Sequence, residues 1–408
     1  MALDLILRGA CLSETEGSRD IGIKDGRIVV IKPSLAAEGE TLLLDGALVT
    51  PGLVETHIHL DKSRILDRCT PSPDRGTDHM ARVASVKPDF TVEDVYERAK
   101  TTLEGCLLHG TTHVRTHVEV DPNVGLRSFE ALQQLAKDYA WAVDLELCVF
   151  AQEGWTNVPA VDVNIVDALK QGAQGIGGAP GYDTDHAGQI DRIFELAQNF
   201  DVDIDIHLDV GPTADELDIC HVCDLTDRYG WGGRVAVGHG AKYSLLPSRE
   251  LKTLGLRLAD AGVAVTVLPA TDLFVMGRDR DHSVIRGVTD ANALVHCGVN
   301  CSLSSNNILN PFTPFGDGSL TRIANLYANT VQRGMRHELA ECFEMLTHNS
   351  ARLMRREDYG IAVGKSADLV VWDVDSTGDA VATAALPLYG FKRGRRTFTR
   401  ARPNLHRP

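Results

Sequence analysis

Four histidines stand where their imidazoles can reach a shared point. Glu55-Thr56-His57-Ile58-His59-Leu60-Asp61 closes one strand-like run, and a strand's period of two puts His57 and His59 on the same face. A second run closes on Asp205-Ile206-His207-Leu208-Asp209, and a third on Val237-Gly238-His239-Gly240. Neutral imidazoles grouped in this way bind divalent ions, and an ion with an open coordination position activates water at neutral pH. An H-x-H pair alone also fits surface or core histidines. What points to a metal centre is the placement of four histidines at the ends of three strands.

The elements that carry them follow a regular beat. From Pro51 onward, apolar runs alternate with helical periodicity: 53–60 then 91–109, 112–120 then 126–139, 145–151 then 161–171, 175–178 then 187–199. The series continues as 202–208 then 214–229, 234–238 then 247–261, 263–268 then 290–297, and 299–303 then 319–331. Eight strands, each followed by a helix, predict an α/β fold of the (β/α)8 TIM barrel type over residues 51–359, with active-site residues at the C-terminal strand ends. A further helix is expected over 337–353. Residues 3–50 read instead as short alternating strands with an Asp25-Gly26 hairpin turn, and the tail returns to strands at 367–372 and 388–393. The two ends, 1–50 and 360–408, are therefore expected to form one small β-sandwich domain against the barrel.

Composition narrows the partners. The 408 residues carry 41 Lys+Arg against 56 Asp+Glu, a net charge of −15, and 43% are hydrophobic. That is a globular mixture, and its negative charge disfavours nucleic acid and acidic membrane surfaces. Neither a signal peptide nor an apolar run long enough to span a bilayer is found, and nine cysteines, an odd number, fit a reducing compartment. The expected location is cytoplasmic. Cys220 and Cys223 form a C-x-x-C within an amphipathic helical stretch and read as packing residues.

The motifs Pro51-Gly52-Leu53-Val54-Glu55-Thr56-His57-Ile58-His59-Leu60-Asp61-Lys62, Val114-Arg115-Thr116-His117-Val118-Glu119-Val120-Asp121 and Phe150-Ala151-Gln152-Glu153-Gly154 resemble the cytosine deaminase branch of the amidohydrolase superfamily. They are also similar to the related N-isopropylammelide amidohydrolases, whose first metal motif likewise runs into Asp-Lys. The likeness extends over nearly the whole chain, through Tyr359-Gly360-Ile361-Ala362-Val363-Gly364-Lys365-Ser366-Ala367-Asp368-Leu369. It implies a metal-dependent hydrolase cleaving a C–N bond of a small nitrogen heterocycle by deamination, dealkylamination or cyclic amide hydrolysis. It further implies one divalent ion per chain, zinc or iron, bound by His57, His59 and His207, with His239 beside the attacking water. It implies a homo-oligomer as well. Gln152 is expected to read the heterocycle's edge, because an amide both donates and accepts. Lys62 is a candidate for holding an anionic ring oxygen or for a plain ion pair, Trp155 for stacking on a planar ring or for packing, and His117 for a supporting position.

Two departures from the family pattern bear on mechanism. The register of Leu303-Ser304-Ser305-Asn306-Asn307-Ile308-Leu309-Asn310-Pro311-Phe312 puts Asn306 where the family has an Asp that binds metal and takes a proton. An amide oxygen ligates weakly and is no base near neutral pH. Val210 stands three residues after His207, where cytosine-deaminase-type enzymes have a Glu; the isopropylammelide branch lacks that Glu too. Asp209, Asp61, Asp272, Asp317 and His239 itself are the candidate replacement bases, each also readable as a salt bridge or loop cap. The charged loop from Asp272 through His282 offers Arg278 and Asp279 to a ligand or to solvent. The alternative reading is a homologue in which Asn306 has weakened or removed the metal, leaving small-ligand binding with weak or no hydrolysis.

Overall fold

The computed structural model describes residues 2–12, 17–71 and 78–406. Four strands open the chain: β1 (Ala2–Ala10), β2 (Arg19–Lys24), β3 (Arg27–Lys32) and β4 (Glu38–Leu43). They form one sheet in the order β3-β2-β1-β4, and the β2–β3 turn has φ of 50° at Asp25 and 74° at Gly26. Positive φ at both central residues is what a two-residue hairpin requires to match strand twist.

After β5 (Leu48–Pro51) come the eight barrel strands: β6 (Leu53–Ile58), β7 (Thr111–Glu119), β8 (Asp144–Ala151), β9 (Gly175–Gly178), β10 (Asp203–Leu208), β11 (Val235–His239), β12 (Val263–Val267) and β13 (Cys301–Leu303). They pair in sequence order, all parallel. The ring closes at its mouth, where Asn306 N–H donates to the His57 carbonyl at 2.9 Å and His59 N–H donates to the Asn306 carbonyl at 2.8 Å. The TIM barrel is thus sealed by three of the residues singled out for chemistry.

Strand alternation sets what fills the barrel. In β7, Val114 and Val118 join the apolar cluster shared with the outer helices, whereas Arg115 reaches the Glu146 side chain of β8 and His117 reaches across the barrel to the Asp205 backbone carbonyl of β10. The surrounding helices include Val92–Leu108, His186–Phe200 and Ile219–Tyr229.

Several boundaries differ from the sequence reading. The helix expected over 214–229 starts at Ile219, because the Asp209 carboxylate accepts from the Asp218 and Ile219 amides and fixes where its first turn begins. The helix expected over 337–353 is two, Arg336–Glu344 and His348–Leu353, interrupted at Thr347 with φ −127° and ψ −100°. An unexpected helix, Pro269–Val275, follows β12 directly, started by Pro269 at a position where the missing N–H costs nothing.

The tail adds β14 (Leu369–Trp372), β15 (Pro387–Lys392) and β16 (Arg395–Thr399), and β5 pairs antiparallel with β14 in the sheet β16-β15-β14-β5. Leu7, Ile21 and Ile23 of the first sheet share an apolar core with Val49, Leu369, Val371 and Phe391 of the second. Among the described residues, no helix is long and apolar enough to cross a membrane.

Candidate active site

The ends of β6 and β10 bring three imidazoles into contact. His57 Nε2 lies 3.0 Å from His207 Nε2, and His59 Nε2 lies 2.9 Å from the same atom. The outer nitrogens fix the tautomers of two rings. His57 Nδ1 is 3.2 Å from an Asp205 carboxylate oxygen and His207 Nδ1 is 3.3 Å from the Gly178 carbonyl, both pure acceptors, so Nδ1 carries the proton on each ring. Two Nε2 lone pairs therefore face one another at 3.0 Å, with a third imidazole beside them. Such an arrangement is repulsive by itself and attractive around a cation.

The protonation states agree with that role. Burial, with the neighbouring imidazole of His117, lowers His57 to about 3, and burial lowers His59 and His207 well below the ordinary imidazole value. Neutral imidazole is the metal-binding form. Beneath them, burial opposes ionisation of Asp205, but the imidazoles of His117 and His57 outweigh it and hold the carboxyl well below the usual carboxylate range. Asp205 stands two residues before His207 on the same strand face. The sequence reading passed over it, although the period-two alternation would have found it. His117 packs its ring on His57, 3.8 Å between centroids, and donates from Nε2 toward the Asp205 backbone carbonyl at 3.3 Å. It lies under the histidine cluster and does not line the cavity.

His239 and Asn306 complete the floor. His239 Nδ1 contacts an Asp272 carboxylate oxygen at 2.5 Å, and its Nε2 lies 3.5 Å from the Asn306 amide nitrogen. Asn306 is 1% exposed and its Oδ1 has no hydrogen-bond partner among the described residues. A buried acceptor without a donor, next to three converging imidazoles, suits a cation in the same space. The residues present therefore fit a divalent ion: His57, His59 and His207 through Nε2, with the Asn306 oxygen available.

The carboxylate considered at Asp209 is committed elsewhere. The strand ends at Leu208, Asp209 has a φ of 54°, and its carboxylate takes the Tyr243 hydroxyl at 2.9 Å besides the two helix amides. Asp317 pairs with Arg322. Of the candidate replacement bases, the structure brings Asp272 to His239.

Above the floor opens a cavity of about 530 Å³ whose lining includes His59, His207, His239, Asn306, Gln152 and Lys62, together with Asp78, His79, Met276, Arg278, Asp279 and Phe312. Lys62 Nζ donates to Glu119 at 2.5 Å and to the Gln152 side-chain oxygen at 2.9 Å, between the Phe150 and Phe312 rings. Both readings of Lys62 meet here, since it is ion-paired and also lines the cavity. Trp155 does not face the cavity. The residue is 4% exposed within the barrel core, its indole N–H donates to Asp162 and its backbone N–H to Asp183.

The chain is similar in sequence and fold to known proteins. The amidohydrolase family profile covers residues 48–397. The chain is 30% identical over 406 residues to N-isopropylammelide isopropyl amidohydrolase of Pseudomonas sp. strain ADP, covering 96% of each chain. It is 25% identical to pterin deaminase of Rhizobium rhizogenes, covering 86% of this chain and 82% of that protein. Among solved structures, 5-methylcytosine deaminase from Klebsiella pneumoniae with 5-fluorocytosine superposes with a TM-score of 0.93 at 26% identity, covering 99% of both chains. With the histidine-lined barrel mouth, these matches show that the chain belongs to the amidohydrolase family and is a hydrolase acting on carbon–nitrogen bonds.

Proposed function

We propose that the chain is a mononuclear divalent-metal hydrolase, using zinc or iron, that removes ammonia or an amine from a small planar nitrogen heterocycle or opens its cyclic amide. The observation that carries this reading is the pair of unprotonated Nε2 atoms of His57 and His207 facing each other at 3.0 Å. The named activities of the relatives on ammelide, pterin and cytosine rings support the substrate class. A divalent ion held by His57, His59, His207 and the Asn306 oxygen supplies Lewis acidity and lowers the pKa of water.

The protein's own groups divide the remaining work. Lys62, fixed by Glu119, directs its ammonium at the ring edge with Gln152, so a carbonyl oxygen and an adjacent ring nitrogen are read together. Asp272 accepts from His239 Nδ1–H and sets the tautomer, so Nε2 faces the floor as the atom that takes and returns a proton. In this assignment Asn306 positions and His239 moves the proton, the two duties that a single carboxylate would otherwise combine.

Elemental analysis of wild type and Asn306→Asp, each assayed against cytosine, triazine and cyclic-amide compounds, tests the proposal. The expected result is near one ion per chain in both, with turnover of at least one compound by the wild type. No ion in the wild type but one in Asn306→Asp, with no wild-type turnover, would overturn it in favour of a ligand-binding homologue.

A further inference from the structure

The Lys62 ammonium belongs to an arrangement larger than its pair with Glu119. An ammonium has three N–H donors. Two of those on Lys62 go to Glu119 and Gln152; the third has no partner among the described residues, on a side chain that lines the cavity. The other oxygen of the same carboxylate, Glu119 Oε2, lies 2.5 Å from a second ammonium, Lys87 Nζ. Lys87 stands outside the cavity lining and is 1% exposed. It is held there by Asp121 at 2.9 Å and Glu153 at 2.6 Å, which accept from its ammonium. Glu119 and Asp121 are buried as well.

Two physical effects follow. A cation on each oxygen fixes the plane of the Glu119 carboxylate, and so fixes where the Lys62 head sits. Burial opposes ionisation of Glu119, but Lys62 and Lys87 outweigh it and hold its carboxyl at about 2. One negative charge is thus shared between two cations. Lys62 is left incompletely neutralised by its partner, with an N–H to spare for an oxygen that carries negative charge.

We propose that Lys87 is a positioning residue for substrate recognition: through Glu119 it aims the spare N–H of Lys62 at a carbonyl oxygen of the substrate ring. The inference rests on the reading of Lys62 as a group that meets the ring edge. It assigns selectivity for an oxygen-bearing ring to a cation that itself stays out of contact with the ligand.

Calorimetric binding of cytosine and of 4-aminopyrimidine, which lacks the ring oxygen, to the full chain tests it. The wild type is expected to bind cytosine more tightly by about tenfold or more, the contribution of a hydrogen bond to a charged group. Lys87→Met should remove most of that preference with 4-aminopyrimidine binding unchanged. In a Lys62→Met background the same substitution should change cytosine binding no further, because Lys87 acts through Lys62. A residue that only stabilised the fold would move both compounds together and add to Lys62→Met. Where Lys87→Met does not fold, Lys87→Arg makes the same comparison: it keeps a cation among the acids, and its planar fork cannot meet Glu119 as an ammonium does, so part of the cytosine preference should go. A wild type without preference for cytosine, equal losses on both compounds in the variant that folds, or additive effects with Lys62→Met would overturn the role. Ammonia release is read separately: a cytosine preference that depends on Lys87, without wild-type turnover, supports the role and counts against hydrolysis. Turnover of cytosine with equal losses on both compounds overturns the role and leaves the hydrolase reading in place.

Discussion

A carboxylate and a carboxamide share a shape and differ in proton chemistry, and position 306 carries the carboxamide. Its φ of 58° is one that Asn and Asp both tolerate, so Asn306→Asp can be accommodated without rebuilding the loop. Replacing a neutral oxygen donor by a charged one should tighten metal retention, and dialysis against a chelator series should show the ion leaving Asn306→Asp at a higher chelator concentration than the wild type. Asp205 acts from the other side of the cluster. By accepting from His57 Nδ1–H it turns the Nε2 lone pair toward His207, and losing such a partner typically weakens metal affinity by about 10- to 100-fold. Asp205→Asn should lose that much in competition titration while its circular dichroism spectrum is unchanged. Wild-type affinity in this variant would mean that the His57 tautomer is set by something other than Asp205.

At the scale of elements, the site depends on how closely neighbouring strands approach. β11 passes the His57 ring at Gly238, where an added Cβ would stand 2.7 Å from His57 Cε1 and 3.0 Å from Nδ1. Gly238→Ala should therefore push the imidazole off its Asp205 contact and weaken metal binding by at least tenfold, the size of effect that a lost outer partner produces. A small change in thermal midpoint accompanied by loss of the metal would match this; an unchanged affinity would show that the ring can shift without penalty. The same closeness explains what was legible in the sequence. Strand alternation placed His57 with His59, and the eightfold beat placed all four histidines at one mouth, because both rules act locally along the chain. Asp272 was visible only as one carboxylate among several, since its approach to His239 depends on the unforeseen helix Pro269–Val275. The strand β10 ends at Leu208 as the sequence indicates, but the left-handed φ of 54° at Asp209 takes it off the strand face and commits its carboxylate to the first turn of the helix Ile219–Tyr229 and to Tyr243. For Trp155 the sequence leaves open stacking on a ring or packing, and packing is what the structure shows: its backbone N–H is held by Asp183, 28 positions along the chain, a contact that no local pattern announces.

For the whole molecule, a buried ammonium is one of the ties between the tail and the barrel. Lys392 of β15 is fully enclosed and donates to the Thr112 carbonyl at 3.1 Å, to Asp144 at 2.8 Å and to Asp368 at 2.9 Å. His113, Asp144 and Asp368 converge there with spacing that could suit a metal, and the ammonium already supplies the positive charge. Arg393 adds bonds to the same two carboxylates. Removing the ammonium strands buried acids, which costs about 3–5 kcal/mol when one partner of a buried pair is lost. Lys392→Met should thus lower the urea midpoint at neutral pH. The acid limb separates this charge effect from simple loss of packing. Burial would raise the Asp144 carboxyl, but Lys392, His113 and Arg393 hold it at about 2, below the unperturbed 3.8. A depressed carboxylate contributes stability that is complete above the unfolded value and disappears as pH falls through the folded one. The wild type should accordingly lose this contribution between about pH 4 and pH 2, and Lys392→Met, already without it, should lose less across the same interval. Parallel acid limbs for the two proteins would assign the cost to packing and leave the ammonium without the electrostatic role.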